Sequence, residues 1–395
     1  MRVLMINVVC GIRSTGRICT DLAAALEAQG HEVKIAYGRE DVPEQHKKYA
    51  VRIGNDLDVK LHGAKARLFD ACGFGSIRAT REFISWVREY DPDVIHLHNI
   101  HGYYINIDIL FDYLKSCGKK IIWTLHDCWA FTGHCSHFSV ANCNKWETGC
   151  FDCCQKKTYP KSYSDFSLRN WEHKKALFSN LPQMTIVTPS NWLMKEVKRS
   201  FLKQYECISI PNGVDLSVFR HYESDFKENR AIGGKKIVLG CATTWSEKKG
   251  LGFFIELSKA LDDDYVVVLV GVSEKQRNSI PASIICIERT NSPKELAEIY
   301  SSAFVFINAS QEETMGLTTV EAMACGTPVI VTNKTAVPEV VNSRGGYVLD
   351  DFSINSVVSI MNQIDRTDLT PRVNALDYEM NAQYQKYINL YKTVQ

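Results

Sequence analysis

The sequence predicts an α/β protein made of two Rossmann-like domains, each a doubly wound parallel sheet, and three observations predict it. The chain opens with an apolar run (residues 2–9), a Gly/Ser/Thr loop (11–16), an amphipathic segment (17–29) closed by Gly30, and a second apolar run (32–37). That strand–loop–helix–strand order starts a doubly wound sheet. After Pro211-Asn-Gly-Val-Asp and a polar stretch at 220–236, the same pattern restarts at Ile237. A length of 395 residues also suits two domains of ordinary size. The expected first domain is 1–212, with a cysteine-rich insert at 128–154, and the second is 216–377. A tyrosine-rich helix at 378–395 remains to pack back on one of them, with the first domain as its expected seat.

Further strands of the first sheet are expected at 94–98, 120–125, 185–189 and 207–210. The second domain should hold strands at 237–241, 265–270, 284–287, 304–308 and 328–331, with helices near 251–261, 293–301 and 318–325. In the last helix Leu317, Val320 and Ala324 keep a 3.6-residue period, and Gly326-Thr-Pro stops it.

Composition excludes several classes. Apolar content of 45% and charged content of 23% are those of a soluble globular protein. A formal charge of +1 gives no global attraction to nucleic acid, so no nucleic-acid partner is expected. Residues 1–10 lack a signal peptide's long core and cleavage site and read as a buried strand. No run is long enough to span a bilayer, so the expected location is cytoplasmic. Peripheral contact with the membrane's inner face is suggested by two basic stretches, 47–88 and 192–204. The second mixes Lys195, Lys198, Arg199 and Lys203 with Trp192, Val197 and Phe201, and also reads as a surface helix packed on its own domain. Fourteen cysteines without an export signal favour reduced thiols or a metal site over disulfides.

The densest chemistry lies at 311–331. Glu313 falls in a loop before a helix N-terminus, Gly316 beside that terminus, and Glu321 one turn inside it. Unpaired N–H groups at such a terminus suit an anion such as a diphosphate. Two carboxylates nearby would repel that anion unless they face hydroxyls, so a ligand carrying both phosphates and hydroxyls, a sugar nucleotide, meets the demand. A nicotinamide-type fold is disfavoured because Gly11 and Gly16 do not form G-x-G-x-x-G.

The Glu313-x7-Glu321 stretch with Gly326-Thr-Pro-Val-Ile, together with Pro211-Asn-Gly-Val-Asp, Lys249-Gly250 and Leu125-His126-Asp127, resembles the retaining family 4 glycosyltransferases of GT-B fold. His96-Leu-His-Asn-Ile-His-Gly-Tyr-Tyr and the cysteine-rich insert look most like the branch that builds bacterial surface polysaccharides such as O-antigen, capsule or exopolysaccharide. The resemblance implies two domains facing a cleft and a hexosyl group moved from a nucleoside-diphosphate sugar to a glycan or polyprenyl-diphosphate-linked acceptor, with no catalytic metal. It also implies roles. Glu321 would hold the donor ribose, Glu313 the transferred sugar, and the N–H groups at Gly316, Leu317 and Thr318 the diphosphate. Lys249 would neutralise the leaving phosphate, His126 would contact the sugar, and Gly16 would permit close approach of the first loop. Many relatives carry an arginine about five residues before Lys249; here Thr243 and Thr244 stand there, and a hydroxyl offers a hydrogen bond without charge.

Other readings stay open at this point. His96 and His98 share a strand face, and with His126 could hold the metal of a hydrolase. The absent arginine also fits a sugar-nucleotide-binding subunit without catalysis. Cys135, Cys143, Cys150 and Cys153 could close a structural zinc site, or remain free thiols, or form a redox-labile disulfide.

Overall fold

The computed structural model describes residues 1–181, 183–364 and 368–393. It divides into two compact units: Met1–Pro211 with the C-terminal stretch from Tyr384, and Asn212–Gln383. The first unit carries a seven-stranded sheet of β1 (Arg2–Ile6), β2 (Glu32–Tyr37), β3 (Ala50–Arg52), β4 (Val94–Leu97), β5 (Lys120–Thr124), β6 (Met184–Thr188) and β7 (Glu206–Ser209). The second carries six strands: β8 (Lys236–Cys241), β9 (Tyr265–Val270), β10 (Ile285–Ile287), β11 (Val305–Asn308), β12 (Val329–Thr332) and β13 (Gly346–Leu349).

The orders are β3-β2-β1-β4-β5-β6-β7 and β10-β9-β8-β11-β12-β13, every pair parallel. Each sheet reverses direction of strand addition next to its own first strand, between β1 and β4 and between β8 and β11. In such sheets ligands collect beyond the carboxyl ends of the strands at that reversal. Central strands read as continuous apolar runs because helices cover both faces; every residue of β4, β11 and β12 is buried.

The structure differs from the sequence reading at particular places. β3 and β13 were not expected, being short strands at sheet edges with little apolar pattern to mark them. The first helix begins at Arg13 rather than at residue 17, so Gly16 lies in its first turn. The helix Met380–Lys392 gives its stretch from Tyr384 onward to the first unit, where Tyr384, Tyr387 and Tyr391 are buried; residues 394–395 of the expected helix lie outside the described residues.

In the insert, Trp129, Phe131 and Trp146 are fully buried in the core of the first unit. Phe138 stacks on Trp146 at 4.6 Å between centroids. The buried Lys174 ammonium lies 3.4 Å from the Trp129 ring centroid and donates to the carbonyls of Trp129 and Thr132. Aromatic burial therefore orders this segment. The 192–204 stretch is settled too: Leu193, Val197, Phe201 and Leu202 are core residues, so the helix Asn191–Arg199 is packed on its own unit. Among the described residues no helix is long and apolar enough to cross a membrane.

Candidate functional site

In the second unit the site grows from two loops at the carboxyl ends of β8 and β11. After β8 the chain exposes Thr243 and Thr244 and then buries Trp245, whose Nε1–H donates to the Val270 carbonyl at 2.9 Å. A single 3-10 turn, Glu247–Lys249, ends at Gly250 with φ +81°. A Cβ on Gly250 would stand 2.5 Å from the Ala309 Cβ, so only glycine permits both that backbone and that approach. The close approach brings the two loops together, and Gln311 N–H donates to the Lys248 carbonyl at 2.9 Å.

Two ion pairs follow in parallel. Lys248 Nζ lies 2.8 Å from Glu312 Oε2, and Lys249 Nζ lies 2.6 Å from Glu313 Oε1. Glu312 is nearly covered, with 4% of its side chain exposed, against 21% for Glu313 and 35% for Lys249. The two lysines are almost equally exposed, so the pairs differ in their carboxylates, with Glu313 the more accessible. Glu313 is further fixed by its backbone, which donates to Thr335 Oγ1 and accepts from Ala336 N–H.

Gly316, at φ +96°, caps the helix Leu317–Ala324 without a side-chain bond. The first intrahelical bonds run from Thr319 and Val320 to the Gly316 carbonyl, which leaves the N–H groups of Leu317 and Thr318 directed out of the helix end. Asn308, last residue of β11, ties that turn to the sheet by donating to Thr319 Oγ1 at 2.9 Å. Glu321, half-buried one turn on, accepts from the hydroxyl of buried Tyr300 at 3.2 Å. The structure therefore brings Lys249 and Glu313 into contact, and it sets Gly316, Leu317, Thr318 and Glu321 along one short helix. Tyr300 and Thr335 were missed because nothing in their local sequence separates them from ordinary helix and loop residues.

In the first unit the loops after β1, β4 and β5 gather at the carboxyl edge of the sheet. Gly16 is buried; a Cβ there would meet Val9 Cγ2 at 3.0 Å and the Gly11 nitrogen at 3.2 Å. His98, His101, His126 and Asp127 line one small pocket with Trp129. His126 Nε2 and His98 Nδ1 are 3.0 Å apart, with the rings nearly parallel. Burial lowers the His126 pKa to about 4, against a smaller opposing pull from Asp127, so the imidazole is neutral near pH 7. Asp127 pairs with His101 instead, Oδ2 to Nε2 at 2.9 Å. Burial would raise that carboxyl, but His101 and the Trp129 N–H outweigh it and hold it at about 2.

Among the described residues the side chains named for a metal are placed as follows. His96 uses both ring nitrogens on hydroxyls, Tyr391 at 2.6 Å and Thr124 at 2.7 Å, and so has none to give a metal shared with His98 and His126. In the insert the Cys135 thiol is pushed up by burial first and then by Cys153, Cys150 and Cys143, which places the four in one neighbourhood. Cys150 Sγ accepts the Gly133 N–H at 3.1 Å, and burial raises Cys153 to about 12. Yet all four are free thiols, and among the described residues no group of three or more His, Cys, Asp or Glu side chains could hold a metal ion.

Two parallel-sheet Rossmann-like units with seven and six strands have the GT-B class of glycosyltransferase fold. The model described as Glycosyltransferase Family 4 matches residues 15–218, and that described as Glycosyl transferases group 1 matches residues 223–372. The chain belongs to glycosyltransferase family 4. It is 23% identical over 376 residues to the putative colanic acid biosynthesis glycosyl transferase WcaC of Escherichia coli K12, covering 91% of this chain and 90% of that one. It is 26% identical over 198 residues to the O-antigen chain mannosyltransferase RfbU of Salmonella typhimurium, covering 48% and 53%. Among solved structures, the sucrose-phosphate synthase of Thermosynechococcus elongatus superposes with a TM-score of 0.73 at 16% identity over 99% of this chain and 98% of that one. Anabaena HepE in complex with UDP-glucose gives 0.68 at 13% identity over the whole of both chains.

Proposed function

We propose that this protein is a retaining glycosyltransferase that moves a hexosyl group from a nucleoside-diphosphate sugar to a glycan or polyprenyl-diphosphate-linked acceptor during surface-polysaccharide assembly in the cytoplasm. The observation that carries the reading is the Lys249–Glu313 pair set before the open helix end at Gly316. Relatives named for colanic acid and O-antigen synthesis support the pathway class, and a neighbour solved with UDP-glucose supports a nucleotide-sugar donor.

In this reading the diphosphate takes the N–H groups of Leu317 and Thr318, as an anion does at a helix N-terminus. Glu321, aligned by Tyr300, accepts from the ribose hydroxyls. Donor binding draws Lys249 from Glu313 to the phosphate, and the freed carboxylate accepts from hydroxyls of the sugar. The exposed Thr244 adds a hydroxyl where an arginine is absent. Transfer forms a bond from the acceptor oxygen to the anomeric carbon and breaks the bond from that carbon to the diphosphate oxygen. The electron pair stays on the diphosphate, and the acceptor's proton passes to the departing oxygen. A neutral His126 suits this chemistry, since an imidazolium would repel the cationic anomeric centre.

Incubation with a panel of sugar nucleotides and a short polyprenyl-diphosphate-linked acceptor, with nuclear magnetic resonance of the product, tests the reading. Transfer with the donor's anomeric configuration preserved is expected. Inverted product would overturn retention, and no transfer from any donor would overturn the enzyme assignment.

A further inference from the structure

Just past the insert, Tyr159 returns to the carboxyl edge of the first sheet with its polar end turned inward. Its hydroxyl lies 2.9 Å from His101 Nδ1, and His101 Nε2 is the nitrogen paired with Asp127. Asp127 Oδ1 in turn accepts the Trp129 N–H at 2.9 Å. With its Nε2–H given to the carboxylate, a neutral His101 accepts the Tyr159 hydroxyl at Nδ1. His101 is buried, yet 43% of Tyr159 stays exposed. A tyrosine used for packing does the reverse, burying its ring and wetting its hydroxyl.

A second ring and a cation stand beside it. The Tyr103 ring lies 6.3 Å from that of Tyr159 between centroids, and His62 backs it edge-on at 5.9 Å. Tyr103 holds φ +73°, a left-handed backbone that a bulky residue keeps only where its surroundings over-determine it, as they do at ligand sites. Gly102 before it, at φ +106°, runs so close to Val8 that a Cβ would stand 2.6 Å from Val8 Cγ2. Arg39, in the loop after β2, carries its guanidinium carbon 5.9 Å from the Tyr103 centroid. Neighbouring Arg13 is taken by Glu40 at 2.6 Å, whereas among the described residues Arg39 enters no ion pair with a carboxylate.

The chemistry of the three side chains selects a ligand. The electron-rich face of a tyrosine attracts the C–H groups of a sugar ring, and the arginine fork takes a carboxylate or a phosphate in two parallel bonds. His101 and Asp127 line the same small pocket as His126, so the rings they fix stand next to the histidine assigned to the transferred sugar. We propose that Tyr159, Tyr103 and Arg39 form the acceptor subsite and select a sugar that carries an anionic group. The ring stacks on the tyrosines, and its carboxylate or phosphate meets Arg39. This deepens the transferase reading given above and rests on it for its use, while binding at the subsite can be measured without transfer.

The test is saturation-transfer nuclear magnetic resonance and calorimetric titration of the full chain with three probes. These are a disaccharide ending in glucuronic acid, the same disaccharide ending in glucose, and glucose carrying a methyl diphosphate at its anomeric carbon. The wild type should bind at least one anionic probe roughly tenfold more tightly than the neutral one. Preference for the glucuronide identifies a carboxylate as the anion, and preference for the diphosphate identifies the phosphate of a carrier. Arg39→Gln should abolish the preference, and Tyr159→Ala should weaken binding roughly tenfold. Tyr159→Phe, which keeps the ring and loses only the bond to His101, should have a smaller effect. All three variants should keep the wild-type thermal shift with sugar nucleotides. No probe binding, equal binding of acidic and neutral probes, or affinities unchanged in Arg39→Gln and Tyr159→Ala would overturn the proposal. So would a fall in melting temperature in both Tyr159 variants with affinity unchanged, because Tyr159 would then only pin the end of the insert. Sugar-nucleotide stabilisation without probe binding fails this subsite alone, whereas probe binding without sugar-nucleotide stabilisation fails the transferase reading alone.

Discussion

Lys249 Nζ stands 2.6 Å from Glu313 Oε1, joining residues that lie on loops after two different strands. The pair holds a cation and a carboxylate in register, and in the function proposed above each partner has a separate task at the donor. Lys249→Met and Glu313→Gln should each change stability by less than about 1 kcal/mol, the ordinary worth of a partly exposed ion pair. Each should lower the transfer rate roughly 100-fold or more, as removal of a transition-state charge partner does. Melting curves beside steady-state kinetics check both halves. An equal fall in stability and activity would mean that the pair is structural.

Glu321 should separate from Glu313 in its kinetic signature. Glu321→Ala removes a charge-assisted acceptor worth about 1.5–3 kcal/mol, so donor affinity should fall roughly 10- to 100-fold. Tyr300→Phe, which removes the hydroxyl that orients Glu321, should show a smaller effect of the same kind. Calorimetric titration with the donor measures both. Unchanged donor affinity in Glu321→Ala would remove it from the site.

The chain's two-domain plan and the Glu313–Glu321 motif were legible because strands buried on both faces and helix-stop signals leave patterns a few residues long. The Lys249–Glu313 contact was not legible, since 64 residues separate the partners. Only the placement of β8 beside β11 joins them. The direct bond between His126 and His98, grouped in sequence only as metal ligands, likewise depends on neighbouring strands. Burial of Trp129, Phe131 and Trp146 in the insert was not legible beside its conspicuous cysteines, because it shows only once the chain is folded.

Gly316→Ala should strike both stability and donor binding. At φ +96° a side chain is strained by about 1–2 kcal/mol, and the added Cβ would sit 3.4 Å from Val337 Cγ2. The melting temperature should drop by several degrees, and donor affinity should fall further than in an equally destabilised core variant.

Acid should destabilise the first unit before its carboxylates titrate. Burial lowers His96 to about 3 and His126 to about 4 from an ordinary 6.5, and His98 lies well below that value too. The unfolded chain therefore binds protons that the folded chain refuses. Stability from these groups is fully present above about pH 6.5 and is lost as pH falls toward 4. Melting temperature followed across that window should decline, with a shallower slope in His126→Asn.

Chelator should leave melting temperature and transfer rate unchanged, because among the described residues no group of three or more His, Cys, Asp or Glu side chains could hold a metal ion. A loss of stability with chelator, restored by zinc, would show that Cys135, Cys143, Cys150 and Cys153 adopt another arrangement.

The central claim is that the second unit binds a sugar nucleotide through Glu321 and the helix end at Gly316. Thermal denaturation of the wild type and Glu321→Ala against a panel of sugar nucleotides tests it most directly. The account predicts that a narrow set of donors raises the wild-type melting temperature and that Glu321→Ala loses most of the shift. No stabilisation of the wild type by any sugar nucleotide, or a shift that survives intact in Glu321→Ala, would contradict it.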